Sequence, residues 1–498
     1  MDKISENPSN QCHLCSISLN NRYLHNFRNM PKPNPIAENV EAIDIGDGGR
    51  AVIRDNGKVI FVKGLVPGDI ANVEILKSKR KHSEGRLLKI VQPSARRVAP
   101  VCQHFGSCGG CSWQNFDYAA QIEYKQKQVE EGFRRIGGVT VEKTLPILGS
   151  EHIYHYRNKL EFAFSNKRWL PYEEMNESNF NQPGLGFHVP RLFDKVIDIK
   201  ECHLQPDPSN AIRMAVREFS VKENMPYFDL RWQEGFLRNL MIRTTVTNEL
   251  MVVFVFFKED KEMREKLMNH IAEKFPAITS LMYIINPKKN DSFNDLAAES
   301  YKGTPYITEQ LKLRNGKTLD FRISPQSFFQ TNTAQANALY AKVSEFAALK
   351  GTENVFDLYT GCGTIASFVA GEAKHVTGIE YVEQAVTDAK LNAKLNNITN
   401  VDFFAGDMKD MLTEEFCRHH GIPQVVITDP PRGGMHPEVV EALLKMAPEK
   451  IVYVSCSPPT QARDVAMMAD KYAVKVVQPV DMFPHTSHVE NIALLVRK

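Results

Sequence analysis

The chain has 498 residues, 43% hydrophobic and 24% charged, with 61 Lys and Arg against 59 Asp and Glu for a net charge of +2. This is ordinary for a globular protein of two to four domains, and bulk charge alone does not announce a nucleic-acid partner. The strongest apolar run, Leu250-Met-Val-Val-Phe-Val-Phe-Phe257, has eight residues, far short of the roughly 20 of a membrane span, and the N-terminus lacks an apolar signal core, so a cytoplasmic protein with reduced cysteines is expected.

Residues 1–35 are polar and rich in Asn and Pro and read as a mobile arm. Cys12 and Cys15 form a lone CxxC there, a weak metal signal without a second pair of ligands. Residues 36–95 read as a small all-β module. Short β-rich stretches at 40–45, 50–53, 59–62, 70–76 and 84–90 are separated by turn signals at Gly46-Asp-Gly-Gly49, Asp55-Asn-Gly57 and Pro67-Gly-Asp69. Five strands in that length suit a barrel of the oligonucleotide-binding kind. Residues 77–97 carry eight Lys and Arg against one acid, Glu84, a stripe suited to phosphate contacts, with a solvated basic loop as the plainer alternative.

Residues 96–330 predict an α+β domain: a helix at 118–136, strands at 157–164, 184–188, 237–244, 251–257 and 280–285, and a β-rich piece at 306–321 leading into Ser324-Pro-Gln-Ser-Phe-Phe-Gln330. From 331 the rhythm becomes strand–helix alternation. Helices are predicted at 333–348, 364–370, 382–395 and 436–446, and strands at 355–359, 376–380, 401–405, 425–428 and 451–455. Such alternation implies an α/β domain with a parallel sheet covered on both faces.

Chemistry gathers at the ends of these strands. Asp357-Leu-Tyr-Thr-Gly361-Cys-Gly363-Thr is a glycine turn from strand to helix, where a ligand can approach the backbone. Glu380 ends the next strand, placed for ribose hydroxyls, and Asp407 ends the third, placed for an adenine edge. The turn lacks the third glycine of a dinucleotide fingerprint, so a nucleoside without phosphates, such as S-adenosylmethionine, fits better than NAD. Thr428-Asp429-Pro-Pro-Arg432 ends the fourth strand. Enzymes that methylate exocyclic amines often carry an aromatic after Asp/Asn-Pro-Pro; Arg432 in its place counts against that chemistry.

Ile451-Val-Tyr-Val-Ser-Cys456 puts a thiol where a strand stops, and Asp481-Met-Phe-Pro-His-Thr-Ser-His-Val-Glu490 puts a carboxylate just ahead of another. A pyrimidine C5 is a poor nucleophile; thiolate addition at C6 activates it, and a base must later remove the C5 proton. Cys456 and Glu490 meet both demands. Cys362 is the competing thiol, and a metal site on His485, His488 and Glu490 is the less favoured alternative. Cys102, Cys108 and Cys111 give three thiols in ten residues, with Cys202 as a fourth candidate; four thiolates suit Zn²⁺ or an iron–sulfur cluster, the spacing favouring the cluster modestly.

With these motifs together, the chain from about 36 to 498 resembles the RNA (uracil-5-)-methyltransferases, in particular the 23S rRNA branch with a TRAM domain and a [4Fe–4S] cluster. Asp-Pro-Pro-Arg-x-Gly, Val-Tyr-Val-Ser-Cys and Asp-x-Phe-Pro-His-Thr-x-His-Val-Glu occur jointly in that family. The resemblance implies an RNA-binding TRAM barrel at 36–95, a central α+β iron–sulfur domain at 96–330 with the cluster on Cys102, Cys108, Cys111 and Cys202, and a class I, Rossmann-like methyltransferase domain at 331–498. It implies S-adenosylmethionine contacts from Gln330, Tyr359, Thr364, Glu380, Asp407 and Asp429, with Cys456 as nucleophile and Glu490 as base. Ser457 stands where the family usually has Asn, and residues 1–35 fall outside the match. The expected activity is formation of 5-methyluridine in 23S rRNA. The same reaction on tRNA is the alternative within the class, and a non-catalytic RNA-binding assembly factor the alternative outside it.

Overall fold

The computed structural model describes residues 34–171, 174–175, 182–293 and 295–498; Cys12, Cys15 and nearly all of the expected arm lie outside them. Strands β1 (Ile36–Ile45), β2 (Ala51–Asp55), β3 (Lys58–Val62), β4 (Ile70–Ser78) and β5 (His82–Gln92) close into a barrel in the order β1-β2-β3-β5-β4. Alternation places Ile53, Ile60, Val62 and Val73 inside, each at most 2% exposed, as period-two patterning requires. The basic stripe is partly spent internally: Arg86 pairs with Glu74, Arg96 with Glu123 and Arg97 with the buried Asp69. Lys77, Lys79, Arg80, Lys81 and Lys89 stay exposed.

The central sheet has seven strands in the order β13-β12-β11-β10-β7-β8-β9. They are β7 (Lys159–Ser165), β8 (Gly184–Val189), β9 (Leu192–Asp198), β10 (Leu237–Thr244), β11 (Leu250–Phe256), β12 (Ser280–Ile285) and β13 (Ala298–Gly303). All neighbours are antiparallel except β11 and β12. Strand β11 is buried along its whole length, because one face packs on helices Ser209–Lys222 and Lys261–Lys274 while the other packs on the C-terminal half. Successive residues of β10 therefore serve different cores: Leu240 and Ile242 join the helix side, and Met241 joins the cluster containing Val355 and Ile427. The hairpin β14 (Ile307–Lys312) and β15 (Thr318–Ile323) belongs to this second cluster.

The C-terminal sheet has eight strands. Parallel β16 (Asn354–Leu358), β17 (His375–Glu380), β18 (Val401–Ala405), β19 (Val425–Thr428) and β20 (Lys450–Ser455) run in the order β18-β17-β16-β19-β20. The order reverses between β16 and β19, which makes their carboxyl ends the ligand-binding crevice of a doubly wound sheet. The sheet is not wholly parallel: β22 (Glu490–Arg497) inserts antiparallel between β20 and β21 (Tyr472–Val480).

Two further features differ from the sequence expectation. The helix expected at 118–136 is α-helical over Tyr118–Glu131 and widens to a π turn at Gly132–Gly137. There glycine lets the backbone approach Pro458 and Ala462 of helix Pro458–Met468. Strand β6 (Val141–Thr144), expected within a central domain, instead pairs parallel with β21 as the last strand of the C-terminal sheet. Edge pairing of this kind satisfies backbone groups that local pattern cannot assign. Among the described residues no helix is long and apolar enough to cross a membrane.

Candidate active site

The glycine turn leaves β16 through Tyr359 at φ 61°, Gly361 at 56° and Gly363 at 78°. Left-handed backbone suits glycine at the last two positions and is a strained conformation for the tyrosine. A Cβ at Gly363 would come within 2.8 Å of Phe403 and 3.0 Å of Ala389, whereas one at Gly361 would meet open space. Glu380, closing β17, accepts the Gly361 N–H at 3.0 Å and the Val382 N–H at 3.0 Å, joining two strand ends. Asp407 caps the turn after β18 by accepting from Lys409 N. Thr364 opens helix Thr364–Ala370, its hydroxyl 3.4 Å from Tyr340 Oη. Gln330 lies in the loop before helix Thr333–Ala347, and that loop meets the turn where Cys362 Sγ donates to Phe328 O at 3.4 Å. Cys362 is thus buried in the turn, its pKa pushed up to about 12 by burial.

Pairing of β20 with β22 runs to Ser455 opposite Asn491, so the next residues along each strand, Cys456 and Glu490, face each other. Burial pushes the Glu490 carboxyl up to about 8, with the Asp429 carboxylate adding to it and Arg432 opposing. Burial, then Glu490 and Asp429, push the Cys456 thiol up to about 11, again opposed by Arg432. Asp429 itself is raised to about 7 by burial and by Asp357. A thiol, two carboxyls that titrate near neutrality and one guanidinium therefore share one electrostatic environment, the usual mark of acid–base machinery.

Sequence reasoning did not single out Asp357 itself. It is fully buried, accepts from the Thr360 hydroxyl and from Ala366 N at 3.0 Å, and its Oδ1 has no hydrogen-bond partner among the described residues. Burial raises its pKa to about 7. It also missed what holds the loop 481–489 ahead of Glu490. Lys125 and Asp481 are both fully buried and 2.5 Å apart. Lys125 also donates to Phe483 O at 3.0 Å, and Tyr118 Oη to Asp481 at 2.8 Å. Gln121 accepts from His485 N at 2.9 Å, and the Ser112 and Trp113 amides donate to His485 O. No local pattern near residue 125 signals this, because the partners are 356 residues away. His485 is tied into that network through its backbone and its Nδ1, and burial and Lys125 push it down to about 4. Among the described residues no three His, Cys, Asp or Glu side chains are gathered to hold a metal ion, so the alternative metal site on His485, His488 and Glu490 has no support.

A cavity of about 840 Å³ is lined by Cys102, Cys108, Cys111 and Cys202, and also by Phe328, Arg432 and His488. The ring of Phe328 is 72% exposed. Burial raises all four thiols, Cys108 to about 11 and Cys111 to about 12, and neighbouring thiols raise Cys108, Cys111 and Cys202 further. Gly110 N donates to Cys108 Sγ at 3.4 Å and Gln114 Nε2 to Cys111 Sγ at 3.2 Å. Among the described residues no three His, Cys, Asp or Glu side chains are gathered closely enough to hold a single metal ion. That spacing supports neither the zinc nor the iron–sulfur expectation, although the four thiols line one cavity.

A doubly wound sheet with a glycine turn and strand-end acids, preceded by a five-stranded barrel, defines the class: a nucleoside-cofactor methyltransferase with an appended β-barrel. Residues 230–498 match the family model described as tRNA (Uracil-5-)-methyltransferase, and residues 39–88 match the TRAM domain. The chain belongs to this RNA (uracil-5-)-methyltransferase family, whose enzymes depend on S-adenosylmethionine. It is 52% identical to an uncharacterized RNA methyltransferase of Porphyromonas gingivalis, covering 92% of this chain and 99% of that one. It is also 52% identical to one of Bacteroides thetaiotaomicron, covering 90% and 98%. The solved structure of Pyrococcus abyssi tRNA (uracil-54, C5)-methyltransferase in complex with S-adenosyl-L-homocysteine superposes with a TM-score of 0.71 at 30% identity, covering 92% of this chain and 99% of that chain.

Proposed function

We propose that the enzyme methylates C5 of a specific uridine in 23S rRNA, with Cys456 as nucleophile and Glu490 as base. The observation that carries this reading is the meeting of a thiol and a buried carboxyl across the β20–β22 pair, beside Asp429 and Arg432. Cys456 loses its proton to the neighbouring Asp429 carboxylate, titrating near 7, which leaves Glu490 free to accept a proton in the later step. Its sulfur then bonds to C6 of the uracil, and the C5–C6 π electrons move into the ring enolate, stabilised by the Arg432 charge. S-Adenosylmethionine supplies the activated methyl group that C5 takes. Ionised Glu490 removes the C5 proton, the C5–C6 double bond re-forms, and the Cys456 sulfur leaves. The uridine must leave its stack to reach Cys456, at a cost of a few kcal/mol that loop positions reduce.

Gln330, Tyr359, Thr364, Glu380, Asp407 and Asp429 are proposed as the cofactor contacts, supported by their gathering at the carboxyl ends of β16 to β19 and in the adjoining loop. Cys102, Cys108, Cys111 and Cys202 are proposed to hold a [4Fe–4S] cluster, which would cross-link the 102–111 loop to Cys202. Residues 36–95 serve as the RNA-binding barrel, 96–330 as the central domain, apart from β6, which joins the C-terminal sheet, and 331–498 as the methyltransferase domain, in a cytoplasmic protein. Mapping 5-methyluridine in rRNA and tRNA from cells with and without the protein tests the substrate; a site lost from tRNA alone would refute the rRNA assignment. Cys456→Ala should abolish methyl transfer while retaining cofactor binding, and 5-fluorouridine RNA should trap the wild type covalently. Normal turnover by Cys456→Ala would sink the mechanism.

A further inference from the structure

An aromatic surface on the central sheet has no part in the catalytic reading. Trp232 is 74% exposed and Phe193, on the edge strand β9, is 59% exposed. Large rings left in water on a rigid support mark binding surfaces, and here the support is built. The carboxylate of Asp229, 3% exposed, accepts from Arg231 N at 2.8 Å, Trp232 N at 3.2 Å, Asn166 Nδ2 at 2.8 Å and Lys167 Nζ at 2.9 Å. Asp229 N donates to Glu234 O at 2.8 Å, and Gly235 at φ 121° sits where a Cβ would strike Tyr227 O. The turn therefore holds its backbone fixed while presenting the indole outward. Arg231 is held by Asp194 at 2.5 Å and lies 5.4 Å over the ring of Phe193.

The surface is continuous with the barrel. The β8–β9 turn carries Arg191, 3.9 Å from Glu84 on β5, and Pro190, against which a Cβ at Gly109 of the cysteine loop would come within 2.7 Å. Exposed cations flank the rings: Arg191 and Arg231 are exposed, the carboxylates of Asp194 and Asp229 are buried and paired with Arg231 and Lys167, and Glu234 is the exposed acid of the same turn. Separate rings interleaved with guanidinium groups present π-faces and cations, which any unpaired base can stack upon and a duplex cannot.

We propose that Phe193, Arg231 and Trp232 form a stacking platform for unpaired nucleobases of the substrate RNA, outside the catalytic pocket. This rests on the RNA-methyltransferase reading but not on the choice of rRNA. The test is binding of an unmodified 23S rRNA transcript, and of a 20-base-pair RNA duplex (about two helical turns), to the full-length enzyme by filter retention across a salt series. Trp232→Ala should weaken transcript binding about tenfold, or about 1.4 kcal/mol, raising KM for the transcript. Trp232→Phe should bind within about threefold of wild type, since a phenyl face remains. Duplex binding should be unaffected, and the salt slope unchanged because no phosphate contact is removed. Wild-type methylation of the same transcript, read in parallel, reports separately on the rRNA assignment; any structured RNA offers unpaired bases. Transcript binding within twofold of wild type for both Trp232→Ala and Phe193→Ala would overturn the platform (a change of about 0.4 kcal/mol or less). Equal weakening on duplex and transcript would overturn it too, by assigning the contact to the phosphate backbone.

Discussion

Replacing Lys125 by Met tests whether the catalytic loop depends on a buried ion pair. Both Lys125 and Asp481 are fully buried, and Met keeps most of the side-chain volume, so the change is electrostatic rather than a cavity. Removing one partner of a buried pair costs about 3–5 kcal/mol because the other charge stays uncompensated. The Tyr118 hydroxyl at 2.8 Å remains as a donor to Asp481, which favours the lower end of that range. Phe483 O loses the Lys125 ammonium at 3.0 Å, adding about 1 kcal/mol. A total near 4 kcal/mol is a large part of the 5–15 kcal/mol typical of a domain. Urea unfolding should register it, and Lys125→Met/Asp481→Leu should recover about half or more by removing both charges. Asp481 directly follows Val480, the partner of Glu490 in the sheet. The folded fraction of Lys125→Met should therefore accumulate methylated covalent adduct on gels, a defect in the step that uses Glu490. Wild-type stability in the single mutant would refute the reasoning, because an unpaired buried carboxylate cannot be neutral in energy.

The folded Glu490 carboxyl titrates near 8 against an ordinary 4.5, so the native state holds its proton more tightly and stability falls as pH rises between those values. Glu490→Gln should thus match wild type below about pH 5 and exceed it above about pH 8, as read by thermal melts; a pH-independent difference would exclude the raised carboxyl. Gly363→Ala puts a Cβ against Phe403 and Ala389 at φ 78°, and should lose about 1–3 kcal/mol of stability and weaken S-adenosylmethionine binding by calorimetry. Cys202→Ser should sharply reduce iron and sulfide content after anaerobic purification; stoichiometric zinc without iron in the wild type would overturn the cluster. In Arg432→Ala the opposing charge on both groups is gone, so Cys456 and Glu490 should titrate higher, and the rise of covalent-adduct formation with pH should move to higher pH.

Much of the fold was legible because it is written in local pattern. Period-two stretches and Gly-rich turns marked the five barrel strands, whose observed ends fall within four residues of the predicted ones. The strand–helix alternation from 331 to 455 was equally plain, down to helix Thr364–Ala370 and strand β18, whereas helix Pro458–Met468 and strand β21 were not assigned. Strand β6 was not, since four residues of weak pattern become a strand only against β21. The basic stripe over 77–97 was visible as composition, but which cations face water depended on Glu74, Asp69 and Glu123 on other elements.

By itself, the sequence determined which groups sit at which strand ends: the glycine turn after β16, Asp429 after β19, Cys456 after β20 and Glu490 at the start of β22. Those placements follow from short-range periodicity and backbone stereochemistry. The tertiary structure alone decided that Cys456 and Glu490 face each other, because β22 inserts antiparallel between β20 and β21. It alone brought Lys125 to Asp481 and drew the four thiols to one cavity. Protonation was likewise a tertiary matter: Glu490 near 8 and Asp429 near 7 reflect desolvation and crowded like charges, and both arise only when distant segments pack together.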